Sequence, residues 1–87
     1  MSIGEVIKEY VLHLYDRKTV VKGRIVKYED DKNFYWEISH YWKSHKAEGF
    51  YHPSKVSAPT QEEARKLLFA YIKGFSEDVE ISQNNQY

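Results

Sequence analysis

Seven residues of this chain alternate cations with aromatic rings: Lys22, Arg24, Tyr35, Tyr41, Lys43, Tyr51 and Lys55. Rings interleaved with ammonium and guanidinium groups on a flat surface can stack on bases or on a partner's side chains. The cations can meanwhile meet phosphate or carboxylate. That chemistry is recognition rather than bond making. The plain alternative is a solvated sheet face whose Tyr and Lys/Arg stems cover the backbone and pair across strands.

Other reactive groups do not assemble into known arrangements. His40, His45 and His52 fall close enough in sequence for their rings to approach, but the chain has no HxH or HxxxH spacing. Glu48 is the only carboxylate beside them, and a zinc site wants three or four ligands in fixed geometry. Glu29, Asp30 and Asp31 read as turn chemistry and lack the oxygen-ligand ladder of a calcium loop. Glu5/Glu9 and Glu62/Glu63 read as solvated helix faces, not as an acid/base pair across a pocket. Ser, His and Asp show no nucleophile-elbow spacing, and the four glycines form no phosphate loop. The sequence therefore predicts no enzyme, no metal site, no cofactor and no small-molecule substrate.

Charge narrows the partner. Lys plus Arg and Asp plus Glu each number 13, so the formal net charge is zero. This argues against binding nucleic acid through bulk charge. The distribution is uneven: residues 17–58 hold nine Lys/Arg against five Asp/Glu, while the flanking stretches are acidic. No run reaches the roughly 18 apolar residues of a membrane span, and no signal pattern opens the chain. The absence of cysteine excludes disulfides and thiolate chemistry and is compatible with a reducing cytosol, so a cytoplasmic protein is expected.

The elements that must position these residues follow from periodicity. Ile3, Val6, Ile7, Tyr10, Val11 and Leu14 recur at helical spacing, and Ser2 with Glu5 has capping-box form, which predicts a helix over 2–16. Residues 19–29 and 33–43 switch to period two and read as a hairpin around Asp30–Asn33. The expected register sets Ile25 opposite Ile38, Arg24 opposite Ser39 and Val26 opposite Glu37, because a one-residue slip would invert both faces. Gly49–Val56 reads as a third strand, with Phe50 and Val56 inward; Pro53 makes it an edge or an interrupted strand. Thr60 and Glu63 form a second capping box, and Ala64, Leu67, Leu68, Tyr71, Ile72 and Phe75 predict a helix over 61–74, ending near Gly74. The stretch from Ser76 reads as a flexible tail with a brief strand at 79–81.

This order, helix, three strands, helix, resembles the double-stranded-RNA-binding domain in topology over residues 2–74. The resemblance implies phosphate binding by a basic helix N-terminus. This chain has Thr60-Gln61-Glu62-Glu63-Ala64-Arg65-Lys66 there, and two carboxylates in that turn repel phosphate. Residues 17–21 (Arg-Lys-Thr-Val-Val) and 33–41 also resemble small bacterial, cyanobacterial-like proteins, a likeness that brings no mechanism.

The expected fold class is α+β: a three-stranded antiparallel meander with N- and C-terminal helices on one face (α-β-β-β-α). One domain spans 1–76, with a tail over 77–87. The expected core is Val6, Ile7, Tyr10, Val11, Leu14, Val21, Ile25, Phe34, Trp36, Ile38, Trp42, Phe50, Ala64, Leu67, Leu68, Tyr71 and Ile72. His40, on the inward face beside Trp36 and Trp42, is expected to be partly buried and neutral. The expected function is a small non-catalytic binding or adaptor module that uses the open Tyr/Lys/Arg face for a protein partner. A homodimer through that face or through the third-strand edge is one version. Nucleic-acid binding on the same face is the alternative.

Overall fold

A computed structural model describes residues 3–14, 18–50, 52–76 and 78–87, and among these the chain forms six strands and one helix. Strand β1 (Gly4–His13) pairs antiparallel with β2 (Val20–Tyr28), which pairs with β3 (Phe34–Ile38). A two-residue strand, β5 (Ser57–Ala58), closes the far side of this sheet, whose order is β1-β2-β3-β5. Strands β4 (His40–Ser44) and β6 (Val79–Gln83) form a second, two-stranded sheet. Helix α1 (Gln61–Ile72) packs against β3, β2 and β5 on the inner face of the first sheet.

The expected α-β-β-β-α arrangement is overturned at its first element, because residues 4–13 are a strand. The described elements therefore begin with a strand and divide between two sheets, in place of the expected helix-first order. The apparent helical stripe is a strand pattern whose phase is reset by a β-bulge. Val6 faces Val26 but Lys8 faces Ile25, leaving Ile7 as the extra residue. Beyond the bulge, Tyr10, Leu12 and Leu14 point to the core, whereas Val6 and Val11 stay 50% and 51% exposed. Both had been placed in the core. Ser2 and residues 15–16 of the expected helix lie outside the described residues.

The hairpin keeps its faces but not its register. Arg24 opposes Glu37, Ile25 opposes Trp36 and Val26 opposes Tyr35, a slip of two residues from the expected pairing. A two-residue slip preserves which side chains share a face, so the period-two pattern could not detect it. The turn sets the register. Asp31 N–H donates to the Tyr28 carbonyl at 3.2 Å, and Asp31 Oδ1 accepts from Asn33 N–H at 2.9 Å. Lys27 Nζ donates to the Tyr28 and Asp31 carbonyls. The hairpin is therefore centred between Asp30 and Asp31, one residue before the centre of the expected Asp30–Asn33 turn, which moves the pairing by two.

The long second strand is broken at Ser39. Its N–H donates to the Lys22 carbonyl at 2.8 Å, and its Oγ accepts from Lys22 N–H at 2.7 Å, so a hydroxyl ends the β2 ladder. The chain then leaves for the second sheet, and the Ser39 carbonyl accepts from Asn84 N–H at 2.7 Å. The expected third strand over 49–56 is not present among the described residues of that stretch; pairing with β3 falls instead to Ser57 and Ala58. The stretch read as a tail carries β6, hydrogen-bonded to β4 from Val79 to Gln83.

The C-terminal helix forms where its signals lie. Thr60 Oγ1 accepts from Glu63 N–H at 3.2 Å, and Ala64, Leu68 and Tyr71 are buried. Ile25, Leu68 and Val21 are the largest fully buried side chains. Tyr71 gathers the rings of Trp36 (5.7 Å), Phe75 (5.8 Å) and Trp42 (6.0 Å), and its carbonyl accepts from Trp42 Nε1 at 3.2 Å. Gly74 has no left-handed conformation. Its role is steric: a Cβ there would stand 2.1 Å from the Trp42 ring.

Candidate functional site

The outer face of the first sheet, away from α1, carries a cluster of rings and charges. By alternation from the Arg24–Glu37 pair, β2 sends Lys22, Arg24, Val26 and Tyr28 to this face, and β3 sends Tyr35 and Glu37. Val26 is buried there although it is on the side away from the helix. A Cβ on Gly4 would lie 2.6 Å from the Tyr28 ring and 3.1 Å from Val26. Tyr28 thus folds across the missing side chain of Gly4 and shields Val26. Tyr28 and Tyr35 meet edge to face at 5.6 Å.

Arg24, Glu37 and Glu9 on this face are paired internally. Arg24 Nε donates to Glu37 Oε1 at 2.6 Å, and the Tyr87 ring lies 4.1 Å from the Arg24 guanidinium. The Tyr87 hydroxyl donates to Glu9 Oε2 at 2.7 Å. Although burial opposes its charge, Arg24 is held more firmly protonated than usual by Glu37, with help from Tyr87 and Glu9. The field of Glu37 pushes the Tyr28 phenol above its ordinary pKa. Burial, then the bond to Glu9, does the same to Tyr87. The Tyr35 hydroxyl donates to Asp31 Oδ2 at 2.6 Å, which lowers the carboxyl and raises the phenol.

Between the sheet and the segment 84–87 lies an open groove of about 350 Å³. It is lined by Tyr28, Tyr35, Trp36, Glu37, Ile38, Tyr41, Pro53, Val56, Asn84, Gln86 and Tyr87. Asn84 anchors one side, its Nδ2 donating to the Ile38 carbonyl at 2.8 Å.

Of the seven residues singled out by sequence, Tyr35 and Tyr41 line this groove and Arg24 borders it through Glu37 and Tyr87. Lys22 shares the face but is exposed, facing Val11 across the sheet. Lys43 lies in the second sheet, donating to Glu80 Oε2 at 2.7 Å and to the Ala47 carbonyl at 3.0 Å. Lys43 keeps the Glu80 carboxyl ionised below its usual range. Lys55 contributes its carbonyl to Trp36 Nε1 at 3.0 Å, with its side chain exposed. Tyr51 lies outside the described residues. Tyr28, Glu37, Glu9, Asn84 and Tyr87 were missed. The parity of β2 and β3 could have found Tyr28 and Glu37; no local pattern announces that residues 84–87 return to this sheet.

The histidines go to separate neighbours. The His52 ring lies 4.4 Å from that of Tyr41, His45 Nδ1 is 3.5 Å from Glu80, and His40 Nδ1 is 2.7 Å from Ser39 Oγ. Among the described residues no three His, Cys, Asp or Glu come together as a metal-holding group. Burial lowers the His40 pKa. Among the described residues no helix is long and apolar enough to cross a membrane. Comparison of the chain with protein-family models, curated proteins and solved structures found no match.

Proposed function

We propose that this chain is a small, non-catalytic, cytoplasmic binding module whose outer-face groove docks a short segment of a protein partner. One observation carries the reading: the face already takes a short segment of this chain, the turn over 84–87, through the Asn84 N–H to the Ser39 carbonyl, the Asn84 side-chain amide and the Tyr87 ring over Arg24. A partner segment bearing an aromatic residue finds the same rings and acceptors along Tyr28, Tyr35 and Tyr41. The cations favour this over a phosphate backbone, because Arg24 and Lys43 are matched by Glu37 and Glu80, and each phosphate contact needs a free positive charge.

The test uses isotope-labelled protein carrying Tyr87→Ala and a synthetic peptide of the sequence 82–87 supplied in trans. Amide shifts at residues 28, 35–37 and 41, similar at about 50 and about 200 mM salt, are expected. Silence with the peptide, together with salt-weakened shifts from short single-stranded DNA or RNA, would replace this reading by nucleic-acid binding. Silence with both would remove the groove as a docking site.

A further inference from the structure

Strand β1 is the long edge of the first sheet; its bulge at Ile7 and the charges of Glu5, Lys8 and Glu9 blunt it in part, and from Lys8 to His13 its pairing with β2 is regular. Ladder alternation fixes which of its groups are open. Lys22 spends its main-chain N–H and C=O on Ser39, toward β3, so Val21, Gly23 and Ile25 turn theirs to β1. Their partners Leu12, Tyr10 and Lys8 are thereby used. The main-chain groups of Glu9, Val11 and His13 point to the free edge, where no strand pairs with them among the described residues.

Three further observations converge on this edge. Ile3, Val6 and Val11 are 63%, 50% and 51% exposed, and Val20, opposite His13, is 37% exposed. An apolar groove of about 250 Å³, lined by Tyr10, Val11, Leu12, Phe69, Ile72 and Lys73, opens beside the same strand on the helix side. The side chains along β1 are also self-complementary in one antiparallel register.

We infer that β1 pairs with β1 of a second copy about a two-fold axis at Val11. Groups open to the edge must face one another, so the symmetric registers centre on Glu9, on Val11 or between like-facing neighbours. A centre at Glu9 opposes two carboxylates, and one at Tyr10 sets Glu9 against valine. The centre at Val11 places the two Val11 side chains together and each Glu9 opposite His13 of the second copy. On the outer face the cross-strand rows become Lys22–Val11–Val11–Lys22 and Arg24–Glu9–His13–Val20, with unlike groups adjacent. On the inner face Tyr10 meets Leu12 of the second copy in the closer, non-hydrogen-bonded pairing, and these side chains cover the apolar groove. The two sheets become one, and both exposed edges are removed. The inference shares Glu9 with the outer-face site, through its bond from Tyr87, but does not rest on a partner docking in the groove.

Sedimentation velocity on the full chain from about 10 to about 500 µM is the direct test, since pairing one short strand predicts a modest affinity. A concentration-dependent dimer is expected. Val11→Lys should weaken it about tenfold or more by opposing like charges at the axis, whereas Val11→Ile retains it. Because the chain has no cysteine, Val11→Cys provides a second readout that does not depend on the lysine variant folding. Directly opposed residues stand about 5.5 Å apart at Cα, within disulfide reach. Oxidation should therefore link two Val11→Cys chains and leave Lys22→Cys chains unlinked. Tyr35→Ala should leave the dimer intact, which separates this edge from the groove. A monomer throughout the range, or a dimer neither weakened by Val11→Lys nor captured by Val11→Cys, overturns the inference.

Discussion

The two faces of the first sheet are built from the same strands and held in opposite ways. On the inner face Ile25, Val21 and Leu68 are fully buried, and the contacts are apolar and aromatic. On the outer face Arg24, Glu37, Tyr28 and Tyr87 are half-buried and satisfied by one another. Burying a large apolar side chain stabilises by roughly 1.5–3 kcal/mol, whereas an ion pair with about a quarter of each side chain exposed contributes about 0–1 kcal/mol. The inner face therefore carries the stability. The outer face can exchange partners at little cost to the fold, which is what a recognition surface requires.

The largest effect should come from emptying the inner face. Leu68→Ala leaves a cavity under Gly23 and Ile25 and should destabilise by about 2–5 kcal/mol in chemical denaturation. A loss below 1 kcal/mol would erase the contrast between the faces. Gly74→Ala should come next, at about 1–3 kcal/mol, because the new methyl group meets the rigid Trp42 ring rather than a flexible chain end; the Trp42 emission should shift with it.

The third effect belongs to the seam between the two sheets. His40 Nδ1 is hydrogen-bonded to the Ser39 hydroxyl, whose oxygen accepts from Lys22 N–H. Its folded pKa is depressed by burial, so the unfolded chain binds the proton more readily. This stability is present above the unfolded value, about 6.5, and is lost as pH falls through the folded pKa. Denaturation midpoints should decline from pH 7.5 to 5, and His40→Gln should flatten that slope. The smallest effect should be Glu37→Gln, at less than about 1 kcal/mol. The same change should let the Tyr28 phenol titrate closer to its ordinary value, as followed by ultraviolet absorbance.

Legibility in the sequence tracked how local each determinant was. The capping box at Thr60 and the stripe through Ala64, Leu68 and Tyr71 are settled within one helix, and both formed where read. The inward parity of Ile25, Trp36 and Ile38 is settled within one strand, and it held. The hairpin register depended on side-chain bonds from Asp31 and Lys27 that a turn propensity does not express. The first strand looked helical because a bulge at Ile7 shifts the alternation, so apolar residues on two faces mimic a stripe three and four apart. The β-branched run and the omission of Leu12 from that stripe were the available warnings. Of the candidate site, the Tyr35 and Arg24 side of the sheet was visible by parity, whereas Asn84 and Tyr87 arrive from the other end of the chain.

The separation of β4 from β6 has a consequence for how the molecule is made. Strands β1, β2 and β3 are neighbours in sequence, and α1 follows soon after, so these parts can close as soon as they leave the ribosome. The second sheet cannot, because even its nearest pair joins Ser44 to Val79. Until residue 83 has emerged, β4 waits without its ladder, and Trp42 lacks one wall of its site. Vectorial synthesis would therefore yield a half-assembled chain first. Its maturation step should be readable as a late phase of tryptophan fluorescence.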